Sequence, residues 1–171
     1  MTITMAHARV MLFWGASLLA MVVGGLYWLA HLSTGLTPPF WETVPVCGVT
    51  PNCVSSKSPA TAASRFRIDP IPFHGGAPEA MRALEALLRA TPGLEIVTVG
   101  PSSIQARLHS NFFGFMDDLF FRAELAGISG QAAQTKEGVI HCYSASRVGH
   151  WDFGANRRRL ERIAAQFAAV Q

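Results

Sequence analysis

The stretch Val10–Leu32, VMLFWGASLLAMVVGGLYWLAHL, decides the architecture of this chain. No Asp, Glu, Lys or Arg occurs in it or in the residues that follow as far as Trp41. A bilayer core requires about 20 apolar residues in a helix. Trp14 and Trp28 stand near the two ends, where aromatic rings favour the membrane interface. We therefore expect residues 10–32 to form one transmembrane helix, with the lipid bilayer as its partner.

A cleaved signal peptide is the alternative interpretation of the same stretch. Its apolar region would be shorter, about 7–15 residues, and would end at a small-residue cleavage site of the A-x-A kind. The run here is longer, and the residues that follow at 31–39, HLSTGLTPP, lack such a site. The length therefore favours a retained anchor.

The charges that flank the helix predict its orientation. The residues before it carry Arg9 and His7 and no acidic side chain. Because positive charge tends to stay in the cytoplasm, we expect residues 1–9 to form a short cytoplasmic tail. The protein would then be a single-pass protein of the cell membrane, with its C-terminal domain in the periplasm or outside the cell.

The composition leaves room for one domain beyond the anchor. The chain has 171 residues, of which 50% are hydrophobic and 15% charged, and the apolar excess lies in the anchor. We expect a linker over residues 33–46 and a single domain over residues 47–171. The net charge of +3 comes largely from arginines between positions 157 and 162. A basic face on one short helix is usually solvated, so we expect no specific nucleic-acid partner.

The cysteines point to an oxidising compartment. Cys47 and Cys53 flank the segment CGVTPNC, in which Pro51 and Asn52 are strong turn formers. Such a turn brings the two thiols together, and we expect a local disulfide. Metal binding is the alternative, but it needs further ligands, and the sequence has no second CxxC or HxxxH. We therefore expect no metal and no cofactor, and we expect Cys142, in an apolar strand pattern, to be a buried thiol.

The remaining sequence alternates between helical and strand patterns. Apolar residues recur at helical spacing after Pro78, and again in a closing helix over about 154–170, whose arginines are expected to face away from its apolar stripe. The predicted strands cover residues 65–72, 94–99, 103–109, 112–122 and 139–146. A loop is expected from Gly127 to Gly138. This order predicts an α+β fold, with an antiparallel sheet of about four to five strands packed by two helices on one face.

Three blocks of the domain occur in a distinctive order. They are PNCVSS at 51–56, FMDDLFF at 115–121 and SASRVGHWDFGANRRR at 144–159. Together they resemble the domain-of-unknown-function family 1499, over nearly the whole domain from Cys47 to the C-terminus. The resemblance implies the fold, and the export or membrane association common in that family agrees with the anchor. It implies no reaction.

The two acids of the central block are the most informative side chains. Strand alternation places Asp117 on the apolar face with Leu119 and Phe121, while Asp118 points the other way. A buried carboxylate is costly unless it is paired, so we expect an arginine partner for Asp117, either Arg147 or Arg158. Asp152 is expected to cap the last helix.

Three hypotheses fit the candidate site, whose residues are Asp117, Asp118, Arg147, Asp152, Asn156 and Arg158. The first hypothesis is a structural ion-pair network that fastens the last helix to the sheet. The second is a pocket for an anionic small molecule or lipid headgroup, since arginine forks suit such groups. The third hypothesis is a hydrolytic site with Asp117 as base and Ser55 or Ser146 as nucleophile, although no G-x-S-x-G or triad pattern is present.

These patterns predict a membrane-anchored, non-catalytic binding or accessory module. It would be a small subunit of a larger membrane protein complex, contacted through the span and the adjacent Phe40–Trp41 face. The alternative is a cell-envelope enzyme or ligand-binding protein that acts on a small anionic or lipidic molecule. No catalytic residue is assigned.

Overall fold

A computed structural model describes residues 5–36, 41–110, 114–125 and 137–171. Its elements in chain order are α1 (Met5–Gly35), β1 (Cys53–Ser55), a 3₁₀ turn (Ser64–Phe66), β2 (Ile71–His74), α2 (Ala77–Arg89), β3 (Leu94–Val99), β4 (Ser103–His109), β5 (Met116–Leu125), β6 (Glu137–Ser146) and α3 (Ala155–Ala168). The loop expected from Gly127 to Gly138 lies outside the described residues except for its last two positions, which begin β6. The fold is α+β, as the sequence predicts.

The strands form one antiparallel sheet in the order β1-β6-β5-β4-β3, with β2 also paired to β6. β1 lies along the C-terminal half of β6, where Cys53 is opposite Ala145. β2 lies along the N-terminal half of β6, where Ile71 is opposite Ile140. β1 and β2 therefore share one edge of β6, because β5 occupies the other edge along its length.

Both α2 and α3 pack on the same face of the sheet, as expected. The core between them contains Leu84 and Leu88 of α2, Ile163 and Phe167 of α3, and Phe121 of β5, all essentially inaccessible to solvent. Burial of side chains of this size contributes about 1.5–3 kcal/mol each. This face therefore supplies most of the hydrophobic stabilisation of the domain.

The prediction of a strand over residues 65–72 is wrong. Backbone N–H groups in this segment bond locally, from Phe66 to Ala63 and from Arg67 to Ser64, and so form the 3₁₀ turn. The strand begins only at Ile71, where Ile71 and Phe73 point into the core and the residues between and after them point to solvent. Pro72 is compatible with this strand because it lies at the sheet edge.

The first helix covers the predicted apolar segment, residues 10–32, and is longer than predicted. Arg9–Gly35 has a mean hydropathy of 1.9 and is long and apolar enough to cross a membrane, a property that a signal sequence shares. The helix continues to Gly35 and so includes the first residues of the expected linker over 33–46. The linker residues 37–40 lie outside the described residues.

Candidate functional site

Asp117 and Asp118 are neighbours on β5, and both are buried, with 5% and 6% of their surface exposed. Successive side chains of a strand point to opposite faces. Asp117 shares the helix-covered face with Leu119, and Asp118 shares the opposite face with Phe120. The two carboxylates therefore belong to two separate polar clusters.

Asp117 is paired with an arginine, as expected, but the partner is Arg159 of α3. One Arg159 Nη lies 2.5 Å from Asp117 Oδ2. The other donates to Ser144 Oγ at 2.9 Å and to Asn156 Oδ1 at 2.7 Å. The Arg159 side chain is only 12% exposed. This pair fastens α3 to the centre of the sheet.

Asn156 extends the same cluster toward the disulfide-bonded loop. Its Nδ2 donates to the Asn52 carbonyl at 3.0 Å and to Ser146 Oγ at 3.1 Å. Asn52 in turn donates through its side chain to the carbonyls of Ser146 and Gly149, at 3.2 and 2.8 Å. The first and last of the three sequence blocks are therefore joined by buried hydrogen bonds.

Asp152 caps α3, as the sequence predicts. Its carboxylate oxygens accept hydrogen bonds from the backbone N–H groups of Gly154 and Asn156, each at 2.9 Å. The first N–H groups of a helix have no partner within the helix, and a carboxylate near them is also stabilised by the helix dipole. Asp152 therefore has a structural contact rather than a free carboxylate.

The second cluster joins the sheet to α1. Arg147 and Asp118 form a two-point pair, with Nε–Oδ2 at 2.8 Å and Nη2–Oδ1 at 2.7 Å. The Arg147 side chain is 5% exposed and that of Asp118 is 9% exposed. The remaining Arg147 Nη donates to the carbonyls of Ser33 and Leu36, at the C-terminal end of α1. The Ser33 carbonyl is one of the last four of the helix, which the helix itself leaves without a partner.

Other contacts strengthen the same junction. Ser33 is fully buried, and its Oγ accepts the Met116 N–H at 3.0 Å. Burial, followed by the nearby Asp118 carboxylate, raises the pKa of Tyr143 to about 12. Trp41 packs edge-on against Tyr143 and Phe120, with ring centroids 5.2 and 6.0 Å apart. Trp41 therefore packs on the sheet of its own domain. Phe40 lies outside the described residues.

Two expectations about the arginines are wrong. Arg147 pairs with Asp118 rather than with Asp117, and Arg158 is exposed and donates to the Phe153 carbonyl at 2.8 Å. The expectation that all arginines of α3 face away from its apolar stripe fails at Arg159. Helical spacing indicates the orientation of Arg159, because it lies three residues after the buried Asn156 and next to Leu160, and so on the inward side of the helix.

The structure also separates the proposed nucleophiles from a free base. Ser55 is fully buried, and its hydroxyl donates to the Pro45 carbonyl at 2.5 Å. Ser146 Oγ accepts a hydrogen bond from Asn156, and the Asp117 carboxylate is engaged by Arg159. Neither arrangement is the nucleophile–base pair that hydrolysis needs.

Cys47 and Cys53 form the expected disulfide, with Cα atoms 5.6 Å apart. Cys142 is a free and buried thiol, as predicted. Burial raises the pKa of Cys142 to about 12, and a hydrogen bond with Ser56 opposes this shift. A thiol with such a pKa remains protonated and unreactive at neutral pH.

Removal of the disulfide by the Cys47→Ser/Cys53→Ser double substitution is expected to lower the free energy of unfolding by about 2 kcal/mol, because the bond closes a short loop in the unfolded chain. Urea denaturation of the full chain in detergent measures the loss. The unsubstituted protein, once reduced, should match the double variant. A double variant as stable as the oxidised protein would contradict a stabilising role.

A third polar group lies at the edge of the sheet, beside β1. Ser56 Oγ is 3.1 Å from His141 Nδ1, and His141 Nε2 is 3.4 Å from Glu124 Oε2. Lys57 Nζ lies 3.1 Å from the same Glu124 oxygen. Desolvation and the Lys57 cation lower the pKa of His141, although the Glu124 carboxylate opposes them. His141 is therefore held neutral, and sequence reasoning did not select it.

This lowered pKa predicts that the protein loses stability on mild acidification. Unfolded His141 regains its ordinary pKa of 6.5, so the unfolded chain binds the proton more readily than the folded chain. The contribution of His141 to the free energy of unfolding is therefore present above the pKa of the unfolded state, and it is lost as the pH falls through the pKa of the folded state. Urea denaturation between about pH 7.5 and 5.5 should give a shallower pH dependence for His141→Gln than for the unsubstituted protein. His150→Gln, at an exposed histidine, is the control, and equal slopes for all three proteins would refute the assignment.

A cleft of about 830 Å³ lies between the segment 56–72 and α3. Ser56, Ser58, Arg65, Arg157 and Leu160 are among its lining residues, whereas Asp117, Asp118, Arg147 and Asn156 are not. The Ser58 hydroxyl is buried without a hydrogen-bond partner. Within the described part of the chain, no three His, Cys, Asp or Glu side chains converge as metal ligands.

The fold and the two buried clusters define a class of protein: a small α+β domain whose sheet is joined by hydrogen bonds to an apolar N-terminal helix. The family model for proteins of unknown function DUF1499 matches residues 43–167. The chain therefore belongs to the DUF1499 family, as its sequence blocks predicted. No curated protein and no solved structure matches it significantly.

Proposed function

We propose that this chain is a membrane-anchored, non-catalytic binding or accessory module, a small subunit of a larger membrane protein complex. Its C-terminal domain lies in the periplasm or outside the cell. The observation that carries the proposal is that the polar side chains of the family blocks bind one another and the end of α1. Asp117, Asp118, Arg147 and Asn156 each have partners within the chain.

Charge and compartment support the same proposal. The disulfide between Cys47 and Cys53 suits an oxidising space. Arg9 lies near the N-terminal end of α1, which contains no other Asp, Glu, Lys or Arg. The α1 surface offers exposed apolar side chains that lipid or neighbouring helices would cover, among them Leu18, Leu19 and Val22. We expect this helix both to hold the domain at the bilayer and to contact other subunits.

The location is tested on the full chain in cells. We expect the protein to resist alkaline carbonate extraction and to be degraded by protease added to spheroplasts. A protein recovered in the soluble fraction, trimmed after about residue 30, would refute the anchor. A membrane-bound but protease-protected protein would refute the orientation alone.

The accessory role is tested by the size of the native particle. In mild detergent the protein from its own membranes should migrate with stoichiometric partners, well above the 18.5 kDa of one chain. A variant whose residues 10–32 are replaced by a polyleucine helix of equal length is the matched control. It should stay in the membrane and lose the partners. A monomeric native particle would contradict the proposal.

The second candidate function is a cell-envelope hydrolase, favoured by the order Ser56–His141–Glu124, of which Ser56 lines the cleft. A neutral histidine next to a serine hydroxyl is able to accept its proton. In this case a fluorophosphonate probe would phosphonylate Ser56: Oγ bonds to phosphorus, fluoride leaves and His141 takes the proton. Ser56→Ala and His141→Gln would abolish labelling, and Ser58→Ala would not. Absence of labelling would exclude a serine nucleophile of this kind.

A further inference from the structure

Two loops lie together at the end of the sheet that is joined to α1. β1 begins at the level where β6 ends, since Cys53 is opposite Ala145. The Ser146 N–H donates to the Asn52 carbonyl at 3.0 Å, and Asn52 also binds the Gly149 carbonyl. The disulfide loop 47–52 and the β6–α3 loop 147–154 therefore share this end, which we call the anchor-side end of the sheet.

The anchor-side end lies close to the expected membrane surface. Arg147, at the start of the β6–α3 loop, binds the carbonyl of Ser33 in the last turn of α1 and that of Leu36, the residue after the helix. Trp28, expected to mark the interface, precedes Ser33 by five residues, which is about 7.5 Å of helix rise. The two loops therefore lie at the end of the sheet that is bound to the C-terminal end of α1.

Three large apolar side chains are exposed on these loops. Val49 is 92% exposed, Trp151 60% and Phe153 85%. Single exposed apolar residues need no explanation, whereas a group of them at one end of a domain marks an interaction surface. We call Val49, Trp151 and Phe153 the apolar tip.

The chain holds this tip in place at a conformational cost. Phe153 has φ of +51°, a region that side chains other than glycine rarely adopt. Its carbonyl accepts a hydrogen bond from Arg158, while Asp152 on its other side binds the N–H groups of Gly154 and Asn156. Strain of this kind is frequent at functional sites. An exposed phenylalanine held in this conformation is expected to contact an apolar environment.

We propose that the apolar tip inserts into the headgroup–acyl boundary of the same bilayer that α1 crosses. This inference rests on the anchored topology of the proposed function. Tryptophan is suited to that boundary because its ring is apolar and its indole N–H finds a polar partner. The exposed Arg158 beside Phe153 is placed to bind lipid phosphate. The domain would then rest on the membrane at two places, through α1 and through the tip.

Spin labels on the full-length protein test this insertion in nanodiscs of phosphatidylcholine and phosphatidylglycerol at a ratio of about 3:1, a mixture that offers the lipid phosphates that Arg158 would bind. Nitroxides are attached at Phe153→Cys and, in a second variant, at Trp151→Cys. The buried Cys142 is not expected to react, and the unsubstituted protein is the blank. The control is Val170→Cys, which is 61% exposed at the far end of α3. Leu19→Cys reports on the anchor.

The labels at 151 and 153 should show an oxygen-to-nickel accessibility ratio several-fold above that of the label at 170. Nickel access at 153 equal to that at 170, with position 19 in hydrocarbon, would overturn the insertion and leave the anchor intact. Protection of 151 and 153 from both reagents would overturn it in favour of a protein partner. Nickel access at position 19 would overturn the anchor and the inference with it.

Discussion

An Arg159→Met substitution is expected to lower the free energy of unfolding by about 3–5 kcal/mol, the range observed when one member of a buried ion pair is removed. The loss arises because Asp117, whose side chain is 7% exposed, would keep its charge without its partner. Ser144 and Asn156 would lose a charged donor at the same time. A small domain has only about 5–15 kcal/mol of stability, so this variant is expected to be close to unfolding at 37 °C.

Urea denaturation of the full chain in mild detergent, followed by tryptophan fluorescence, measures this loss. Arg158→Met is the matched control, because it removes the neighbouring but exposed guanidinium of the same helix. Its effect should stay within about 0.5 kcal/mol. A double-mutant cycle with Asp117→Asn isolates the pair, and should give a coupling of about 1–3 kcal/mol. If Arg159→Met and Arg158→Met cost the same, the pair does not fasten α3 to the sheet.

The elements with a clear repeat were predictable from sequence. α2, β3 and β4 lie where the apolar spacing places them, and strand alternation placed Asp117 and Asp118 on opposite faces. Asp152 was predictable as a cap because its contacts are local, within four residues. These features depend on backbone period and on near neighbours, which a single sequence records.

The contacts that sequence reasoning missed are non-local. Arg159 and Asp117 are 42 residues apart, and Arg147 and the Leu36 carbonyl are 111 residues apart. Helical spacing places Arg159 on the inward side of α3, but which carboxylate it reaches depends on the angle at which α3 crosses the sheet. The bounds of β2 were predicted wrongly for a related reason, since its pairing with β6 determines where the strand begins. No sequence pattern indicated His141, because its neighbours Ser56 and Glu124 come from two segments that are distant from it in the chain.

An Arg147→Met substitution is expected to separate α1 from the domain as well as to destabilise the domain by about 3–5 kcal/mol. Arg147 is the side chain that joins a buried carboxylate of β5 to the last carbonyls of α1. Without it, Asp118 is a buried charge without its cation, and the end of α1 loses the donors that fix its direction. Arg147→Lys keeps the charge and loses the planar two-point geometry, so it should fold and still release α1.

The distance between spin labels at Leu19→Cys in α1 and Val99→Cys on β3 measures this coupling in nanodiscs. Val99 is 48% exposed and lies far from the junction along the sheet. The unsubstituted background should give one narrow distribution, and Arg147→Lys a broad one with the domain still folded. Arg107→Met is the matched control, because Arg107 and Glu95 form a similar two-point pair at 2.9 and 2.7 Å on the exposed surface. Exposed pairs contribute about 0–1 kcal/mol, so that variant should change neither the stability nor the distance appreciably. A narrow distribution that survives in Arg147→Lys would mean that Ser33 and the packing of Ala30, rather than the arginine, orient the domain relative to α1.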